Sequence, residues 1–291
     1  MNLALFVSGG LGFEVLEHLI ESKHSIKCIF TDLKSTGIID AAKHNCLPVF
    51  TGNPRNERAI RFIEVHEIDI ILSVNYLFLI ERALYSQSKL AVNIHGSLLP
   101  KYRGRTPHVW AIINNESETG VTAHLIDDGC DTGDIIIQKE VKIDINDTGA
   151  DILAKFKKLY IPLVDEILTD FERGSITPSP QNNNNATFFG KRTSDDGRIN
   201  WGWQKERIRN WVRAQAYPYP GAFTYSEGMD EKVIIDEVFF SDLGYNETDQ
   251  NGLILSLDPI CVKTPNGVLE LRIIRNPEIL LHLGIGQKFI S

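Results

Sequence analysis

The fold is decided by one stretch of sequence, Leu90-Ala-Val-Asn-Ile-His-Gly-Ser-Leu-Leu-Pro-Lys-Tyr-Arg-Gly104, in which an apolar run leads into a polar turn. The run Leu90–Ile94 predicts a buried strand, and side chains two positions apart on a strand point to the same face. Asn93 and His95 therefore lie side by side at the carboxyl end of this strand. Because open α/β sheets bind their ligands at the carboxyl ends of their strands, the pair predicts a functional site.

Apolar runs and helical segments alternate on the N-terminal side of this stretch. The glycines of Ser8-Gly-Gly-Leu-Gly12 predict a tight turn before a helix over Phe13–Ile20, and Asn53-Pro54 predicts the start of a helix that ends near His66. Strands that alternate with helices predict an α/β fold with a Rossmann-like, doubly wound and mostly parallel sheet. The strands predicted before Leu90 are Leu3–Val7, Ile26–Phe30, Pro48–Phe50 and Asp69–Val74.

The chain beyond the central stretch divides into a long helix, a connection and a β-rich end. Apolar residues at helical spacing predict a helix over Thr148–Arg173, with Thr148 and Asp151 as a capping box. Gly174–Asn185 predicts a linker because it holds two prolines and ends in four asparagines. The segments after Phe223 predict a small antiparallel β-domain, either a barrel or a sandwich. The predicted domains are a catalytic domain at 1–180, a linker and connecting helix at 181–215 and the β-domain at 216–291.

The composition predicts a soluble, cytoplasmic protein. Of the 291 residues, 43% are hydrophobic and 23% are charged, as in ordinary globular proteins, and the net charge of -8 argues against a general nucleic-acid binder. The four cysteines form no CxxC pair, which favours reduced thiols over disulfides or a zinc site. The N-terminus lacks the features of a signal peptide, and no apolar run approaches the ~20 residues of a membrane span.

The central stretch carries residue types that suit proton transfer. Asn93 supplies an amide donor for a developing oxyanion, and His95 supplies an imidazole that accepts a proton near neutral pH. Asp131 is the candidate carboxylate partner, because it lies in the glycine-rich loop Asp127–Asp134 between two predicted strands of the same sheet. The alternative for Asp131 is a residue that only forms the turn. A metal site of His95, Asp131 and Asp134 lacks a second histidine at a suitable spacing, so no metal is predicted.

Two other features allow more than one interpretation. Ser8–Gly12 followed by Asp32 imitates a dinucleotide-binding turn, but Val15 stands where a third small residue is expected, and a helix packed tightly on a strand explains the glycines better. A non-catalytic nucleotide-binding protein is the rival that this turn suggests. A basic cluster beside the site fits either an anionic ligand or a solvated loop. It consists of Lys101, Arg103 and Arg105.

Several motifs accompany the central stretch and the loop Asp127–Asp134. They are Ser73-Val-Asn-Tyr76, Thr122-Ala-His124, Ala186-Thr-Phe-Phe-Gly-Lys-Arg192 and Tyr217-Pro-Tyr-Pro-Gly-Ala-Phe223. Together these motifs resemble the folate-dependent formyltransferases over about residues 1–225. Within that family the sequence looks most like the sugar N-formyltransferases, including those that act on dTDP-linked amino sugars.

The resemblance implies transfer of a formyl group from N10-formyltetrahydrofolate to the primary amine of a nucleotide-linked amino sugar. It implies that His95 is the catalytic base, that Asn93 stabilises the oxyanion, and that Asp131 orients His95 and raises the pKa of its imidazole. It also implies a homodimer. The composition and residue spacing described above predict that the protein needs no metal and binds neither nucleic acid nor membrane.

The resemblance also carries over contact residues. The implied folate contacts are Phe78, Leu79, Ile80, Arg105, Asp127, Asp128, Gly129 and Cys130. The candidate contacts to the acceptor are Ser8, Gly10, Asn75, Tyr76, Lys101, Arg103 and Tyr217. Leu77 departs from the pattern, since relatives often have a basic residue at this position, and the family's phosphate contact is not carried over there.

Two relatives of a sugar formyltransferase fit the same three catalytic candidates. One is a methionyl-tRNA formyltransferase, and the other is a hydrolase that passes the formyl group to water. From Trp201 onward the chain has nine Lys and Arg against twelve Asp and Glu, a net charge of -3. Because a domain that clamps tRNA should be basic, the sequence favours a small nucleotide-linked acceptor.

Overall fold

Parallel strands and helices alternate up to His95 in the computed structural model, which describes residues 1–291. The strands are β1 (Asn2–Val7), β2 (Ser25–Thr31), β3 (Val49–Thr51), β4 (Ile68–Val74) and β5 (Ser88–His95). The helices between them are α1 (Gly9–Ile20), α2 (Thr36–His44), α3 (Glu57–Glu64) and α4 (Arg82–Tyr85).

The next part of the chain completes the first sheet and adds helices. Its elements are β6 (Arg103–Gly104), α5 (Pro107–Ile113), β7 (Glu118–Leu125), β8 (Ile135–Lys142), α6 (Gly149–Arg173), β9 (Phe188–Phe189) and α7 (Lys205–Ala214). The seven-stranded sheet has the order β3-β2-β1-β4-β5-β7-β8, with β1 to β5 parallel and β7 antiparallel to β5. The prediction of a Rossmann-like, mostly parallel sheet is confirmed.

The core of this sheet is built from the apolar strands that the sequence predicts. All five residues of Leu3–Val7 are inaccessible to solvent, as parallel strands covered on both faces should be. The ring of Phe6 stacks on Phe30 with centroids 4.2 Å apart, and Tyr76 meets Phe6 edge-on at 5.3 Å. This aromatic packing lies at the carboxyl ends of the central strands and so supports the loops that follow them.

Two helix starts differ from the sequence prediction. Helix α1 begins at Gly9, so the tight turn predicted over Ser8–Gly12 is wrong. A Cβ added to Gly12 would lie 2.9 Å from the Cβ of Val7, which confirms that this glycine permits close packing of helix on strand. Helix α3 begins at Glu57 rather than at Pro54, because the side chain of Asn56 accepts a hydrogen bond from the amide of Ala59 and caps the helix.

The predicted capping box of the long helix is confirmed. The backbone amide of Thr148 donates to the carboxylate of Asp151 at 2.9 Å, and the amide of Asp151 donates to the Thr148 hydroxyl at 3.2 Å. The two side chains thus satisfy backbone donors at the start of α6 in the reciprocal manner of this motif.

The C-terminal part forms a second sheet, which is antiparallel throughout its paired strands. Its strands are β10 (Ala222–Ser226), β11 (Lys232–Ser241), β12 (Ile254–Leu257), β13 (Ile260–Thr264), β14 (Gly267–Ile274) and β15 (Phe289–Ile290). Their order is β12-β13-β14-β11-β10-β15. A bridge between Leu253 and Lys288 joins the two ends of this order, so the sheet closes on itself like a small barrel.

The chain divides into two compact units. The first unit comprises Met1–Gly104, Thr119–Val141 and Lys155–Phe189, and the second unit comprises Arg105–Glu118, Lys142–Ala154 and Gly190–Ser291. The predicted boundaries at residues 180 and 215 are simpler than this partition and stay a prediction. None of the helices combines the length and the apolarity that crossing a bilayer would require.

Candidate active site

The register of two neighbouring strands sets the site. Strand β5 pairs with β7 so that Asn93 lies opposite His124 and His95 lies opposite Thr122. Side chains opposite each other on antiparallel strands lie close together on one face. Asn93, His95 and His124 therefore converge at the carboxyl end of β5, within the first unit.

His95 is buried, with 7% of its surface exposed, and its two ring nitrogens have different neighbours. Nε2 lies 2.8 Å from the backbone carbonyl oxygen of Tyr102. Because a carbonyl can only accept, the neutral ring carries its proton on Nε2 and donates it to Tyr102. Nδ1 then holds the lone pair and faces Oδ2 of Asp131 at 3.6 Å.

The surroundings of His95 keep its imidazole neutral. Burial lowers the pKa of His95, and it outweighs the charge of Asp131 and the Tyr102 carbonyl, which act in the opposite direction. A neutral imidazole with a free Nδ1 lone pair is the form that accepts a proton.

Asp131 is held in place from several sides. Its Oδ2 accepts a hydrogen bond from the backbone amide of Gly104 at 2.9 Å, and its backbone is left-handed with φ 56°. Burial alone would raise the pKa of Asp131, but its interactions with His95, His124 and the backbone amide of Gly104 lower it well below its ordinary range. The carboxylate is therefore ionised next to His95 at neutral pH.

His124 fixes the amide of Asn93. Nδ1 of His124 donates to the carbonyl of Leu125 at 2.8 Å, which leaves Nε2 as an acceptor. The amide nitrogen of Asn93 donates to this Nε2 at 3.0 Å and lies 3.5 Å from Oδ1 of Asp131. Only the first of these is a strong hydrogen bond, so the second N–H of Asn93 is the one available to a ligand.

A side-chain brace holds the backbone on the other side of Asp131. The amide nitrogen of Gln181 donates to the carbonyls of Asp131 and Gly133 at 3.0 and 2.7 Å. Its amide oxygen accepts from the guanidinium of Arg103 at 2.6 Å, and Arg103 also donates to Asn183. Arg103 is only 3% exposed and so serves to position the Asp131 loop in this structure.

The loop predicted to contact folate is tied together by its own side chains. Oδ1 of Asp127 accepts from the amide of Gly129 at 3.1 Å and from the hydroxyl of Thr132 at 2.7 Å. A side chain at Gly129 would overlap with Thr132, which explains the glycine. Cys130 is exposed and not part of a disulfide, and its thiol lies 3.5 Å from Oδ2 of Asp131.

Asp128 connects this loop to helix α4. Its carboxylate accepts from both Nε and Nη2 of Arg82, at 3.3 and 2.5 Å, and from the hydroxyl of Tyr85 at 2.7 Å. These hydrogen bonds from Arg82 and Tyr85 lower the pKa of Asp128, which is therefore ionised. The link between Asp128 and Arg82 holds the loop beside the segment that precedes α4.

The apolar segment predicted to contact folate follows β4 without regular structure. Leu79 is 48% exposed, Phe78 is half-buried and Ile80 is buried in the core of the sheet. Phe78 meets the ring of Tyr76 at 5.5 Å. The hydroxyl of Tyr76 is buried without a hydrogen-bond partner, and burial raises its pKa.

The remaining acceptor candidates lie at three places. At the carboxyl end of β1, the Ser8 hydroxyl is buried, Gly10 is exposed, and the amide of Asn75 donates to the carbonyl of Ser8 at 3.0 Å. Lys101 is exposed in the loop after β5. Arg105, a folate candidate, and Tyr217 belong to the second unit, where Tyr217 is 74% exposed.

The contacts give little support to the dinucleotide-binding site or the metal site that the sequence analysis considered. The carboxylate of Asp32 accepts from the hydroxyl of Ser35 at 2.6 Å and from the amide of Lys34 at 2.8 Å, so its own loop satisfies it. No group of three His, Cys, Asp or Glu side chains in the chain is arranged to hold a metal ion.

Sequence reasoning missed the two residues that position the site, His124 and Gln181. His124 belongs to the motif Thr122-Ala-His124. Thr122 and His124 are two positions apart on one strand, and this spacing could have indicated that His124 lies on the same face of the sheet as the site. Gln181 is 50 residues from Asp131 in the chain and lies in the predicted linker, so no local pattern could have indicated it.

Comparison with known families matches both parts of the chain. Residues 2–163 match the sequence model described as formyl transferase, and residues 191–278 match the one described as formyl transferase, C-terminal domain. The first match includes Asn93, His95 and Asp131, and the second includes most of the antiparallel sheet.

Solved structures share this fold over nearly the whole chain. One is WlaRD, a sugar 3N-formyl transferase determined with dTDP and 5-N-formyl-THF, with 22% identity, a TM-score of 0.68 and coverage of 95% of this chain and 98% of that one. Another is the N-formyltransferase from Helicobacter canadensis in complex with folinic acid and dTDP-3-aminofucose, with 21% identity, a TM-score of 0.70 and coverage of 94% and 98%. HypX from Aquifex aeolicus in complex with tetrahydrofolic acid matches with 19% identity and a TM-score of 0.63, covering 94% of this chain but 43% of that one.

Proposed function

The chain belongs to the formyl transferase family, and on this basis we propose that it transfers a formyl group from N10-formyltetrahydrofolate to the primary amine of a nucleotide-linked amino sugar. The observation that carries the proposal is the set of Asn93, His95 and Asp131, in which His95 is buried and the other two side chains are half-buried. The amide nitrogen of Asn93 lies 3.5 Å from Oδ1 of Asp131, and Nδ1 of His95 lies 3.6 Å from Oδ2. An amide donor, a neutral imidazole and an ionised carboxylate are therefore grouped around Asp131. A dTDP-linked aminodideoxy sugar is the proposed acceptor, in line with the dTDP and the dTDP-3-aminofucose bound in two similar structures.

The chain's features fit the proposed formyl donor. Leu79 and Phe78 present apolar surface at the end of β4, which suits the face of a pterin. The loop Asp127–Cys130 presents backbone groups on a rigid turn, which suit the polar edge of such a ring. When bound, the folate supplies a formyl group on N10 whose carbon the acceptor amine can attack.

Three groups of the chain act on the charges that this attack creates. The N–H of Asn93 that makes only a long, 3.5 Å contact with Asp131 donates to the formyl oxygen as negative charge develops on it. Nδ1 of His95 removes a proton from the attacking amine, whose nitrogen becomes positively charged. The same proton can then pass from Nδ1 to the departing N10 nitrogen, so no proton is gained or lost over the reaction.

Asp131 makes the protonated state of His95 accessible. At 3.6 Å, Nδ1 and Oδ2 do not share a hydrogen bond while both are acceptors. Once Nδ1 is protonated, Asp131 faces a cation, and the Tyr102 carbonyl still accepts from Nε2. The ion pair forms only after proton transfer, so it stabilises the reacting state more than the resting enzyme.

The test is formyl transfer by the purified protein to a panel of dTDP- and UDP-linked amino sugars, with mass spectrometry of the products. We expect one sugar to gain a formyl group in place of a hydrogen. Asn93→Ala should lower the rate by about 100- to 1,000-fold, and His95→Ala by about 100- to 10,000-fold. His18→Ala is the matched control, because His18 is a surface residue paired with Asp165.

Two outcomes would contradict the proposal. Release of formate without formylation of any offered amine would point to the hydrolytic relative. A product that forms equally fast in the Asn93→Ala and His95→Ala variants would show that these residues do not catalyse the transfer.

A further inference from the structure

The second unit contains a cavity that no residue of the proposed formyl-transfer site lines. Its volume is about 690 Å³, which lies within the range of about 300–1,000 Å³ typical of small-molecule sites. It lies beside the closure of the second sheet, where Leu253 bridges to Lys288. The polar side chains that line it and carry the argument are Glu247, Asp249, Gln250, Asn251, Lys263 and Lys288.

Lys263 is an unusual residue for the wall of such a cavity. It lies on β13, where every residue is buried, and only 3% of its surface is exposed. Its ammonium donates to Oδ1 of Asn251 at 3.1 Å and lies 5.4 Å from the centre of the Tyr245 ring. Both partners are neutral, so this ammonium makes no direct ion pair within the chain. An ammonium has three donors, and the amide uses one of them.

Lys288, which lies just before β15 and bridges to Leu253, repeats this arrangement. It is half-buried, and its ammonium donates to Oε1 of Gln250 at 2.7 Å. Gln250 and Asn251 are consecutive, so one turn of chain holds both ammonium groups through amide oxygens. Neither lysine forms an ion pair within the chain, and each has donors left for a ligand.

An anion is the group that this pair of lysines lacks. A buried ammonium without a direct ion-pair partner is unfavourable, and an anionic ligand bound by buried Lys263 and half-buried Lys288 supplies that partner. Phosphate oxygens accept several hydrogen bonds at once, which matches the donors left on the two lysines. Lysine commonly binds phosphate as a point charge of this kind.

The other lining residues indicate what the anion is attached to. Glu247 and Asp249 would repel a second anionic group, but their carboxylates accept hydrogen bonds from hydroxyls. Trp201 and Phe289 stack on each other at 5.6 Å and are 1% and 0% exposed, so neither ring offers a face to a nucleobase. These features favour a small polyhydroxylated molecule with one phosphoryl group.

We propose that this cavity binds a small phosphorylated polyol, with its phosphoryl group on Lys263 and Lys288 and its hydroxyls on Glu247 and Asp249. The site is separate from the proposed formyl-transfer site, and it does not depend on which amine that site formylates.

The test is isothermal titration of the full chain with three probes: glucose 1-phosphate, inorganic phosphate and glucose. We expect saturable binding of glucose 1-phosphate, weaker binding of inorganic phosphate and none of glucose. Lys263→Met should weaken glucose 1-phosphate binding by about 10- to 100-fold, as expected for a lost hydrogen bond to a charged group. Lys288→Met should weaken it by less, because Lys288 is more exposed.

Two control variants show whether the binding belongs to this cavity. Lys43→Met changes an exposed lysine of α2 near Asp40, and it should bind glucose 1-phosphate as the unchanged chain does. The Asn93→Ala, His95→Ala double variant should also bind it unchanged. Melting temperatures will identify misfolding, and we expect Lys263→Met to melt no lower than the unchanged chain, because it removes a buried ammonium that has no direct ion-pair partner.

The proposal is overturned by any of three results. The first is equal binding of glucose 1-phosphate by the unchanged chain and a folded Lys263→Met variant. The second is loss of binding in the Asn93→Ala, His95→Ala double variant. The third is the absence of saturable binding to the unchanged chain up to about 10 mM probe, which would mean a binding free energy of less than ~3 kcal/mol. Equal affinity for inorganic phosphate and glucose 1-phosphate would overturn the polyol part of the proposal.

Discussion

At the scale of single residues, burial and the charge of Asp131 have opposite effects on the protonation state of His95. The family resemblance implies that Asp131 raises the pKa of His95, and the carboxylate does act in that direction. Burial of the ring acts more strongly, so the pKa of His95 lies below its ordinary value. A neutral imidazole whose proton is fixed on Nε2 by Tyr102 is ready to receive a second proton on Nδ1.

The first prediction concerns the pH dependence of Asp131→Asn. The proposed base, His95, must be neutral to act, so kcat/KM should fall as the pH drops through its pKa, which burial lowers below the ordinary value of about 6.5. Asp131 raises that pKa, so its neutralisation should move the acidic limb to still lower pH. The plateau rate should fall by at least about tenfold, because protonated His95 loses its partner.

Initial rates of formyl transfer between pH 5 and 9, a range about the ordinary histidine pKa, would measure this shift. Asp134→Asn is the matched control, since Asp134 is a neighbouring carboxylate of the same loop. An acidic limb that moves upward in Asp131→Asn, or an equal shift in the control, would contradict the assignment of His95 and Asp131.

The second prediction concerns His124, which accepts a hydrogen bond from Asn93. Glutamine places an amide oxygen near the position of Nε2, whereas leucine offers no acceptor. His124→Leu should therefore lower kcat by about 3- to 10-fold relative to His124→Gln, which corresponds to one hydrogen bond of about 0.5–1.5 kcal/mol. The KM for the formyl donor should be similar in both variants. Equal kcat values in the two variants would show that His124 does not position Asn93.

At the scale of elements, the site depends on one antiparallel pair and one braced loop. Strand β7 runs against β5, and its register places His124 opposite Asn93. The loop after β7 then carries Asp131 back to His95, with Gln181 bonded to its backbone on both sides of Thr132. The sheet supplies two members of the site, and the loop supplies the third.

The third prediction tests the link between the loop and helix α4. Asp128→Asn removes the charge that receives Arg82 and Tyr85, so the loop should lose its attachment to α4. We expect the KM for the formyl donor to rise severalfold while kcat changes little, because the variant leaves Asn93, His95 and Asp131 intact. Steady-state kinetics with varied donor would measure both constants.

Glu81→Gln is the control for this variant, because Glu81 forms an exposed ion pair with Arg55 just before α4. It should leave both constants unchanged. A fall in kcat at constant KM in Asp128→Asn would show that the loop orients Asp131 rather than the donor.

The fourth prediction concerns the closure of the second sheet. Gly252 has φ 87°, and a Cβ there would overlap with the carbonyl oxygen of Phe289 and lie 3.3 Å from Cγ of Trp201. Gly228 has a similar φ of 80° but open space around it. Gly228→Ala should cost about 1–2 kcal/mol of unfolding free energy from backbone conformation alone, and Gly252→Ala should cost more because of the added overlap. Urea unfolding would measure the unfolding free energy of both variants. Equal losses of unfolding free energy would mean that the closure of the second sheet tolerates a side chain at Gly252.

At the scale of the whole molecule, charge separates the possible acceptors. The chain has a net charge of -8, and the part from Trp201 onward is also acidic. A protein that binds tRNA by its phosphates needs a basic surface. The charge distribution therefore supports a small acceptor and disfavours methionyl-tRNA.

The fifth prediction follows from this charge. We expect no formylation of charged methionyl-tRNA under conditions in which an amino sugar is formylated. The rate with the sugar should change by less than about tenfold between 50 and 200 mM salt, whereas a protein with many phosphate contacts loses about 1,000- to 100,000-fold in affinity over this range. A gel assay of the tRNA product and a salt series of the rate with the sugar would test both statements. Formylated tRNA would show that the acidic C-terminal part does not prevent tRNA from binding.

Local sequence patterns were enough to predict the alternation of strands and helices, the long capped helix, the antiparallel C-terminal strands and the neighbouring positions of Asn93 and His95. The patterns are apolar periodicity, capping residues and the alternation of side chains along a strand. The start of α3 at Glu57 escaped prediction because Asn53 and Asn56 are equivalent by sequence, and only packing decides which of them caps the helix.

Contacts between distant parts of the chain arise only in the folded molecule. The pairing of Asn93 with His124 depends on strand register, and the bracing of Asp131 depends on Gln181, which is far away in sequence. The neutral state of His95 depends on the balance between burial and the charge of Asp131, and that balance exists only when the folded chain has excluded water from the ring. The same holds for Lys263, whose ammonium folding buries against the neutral side chains of Asn251 and Tyr245.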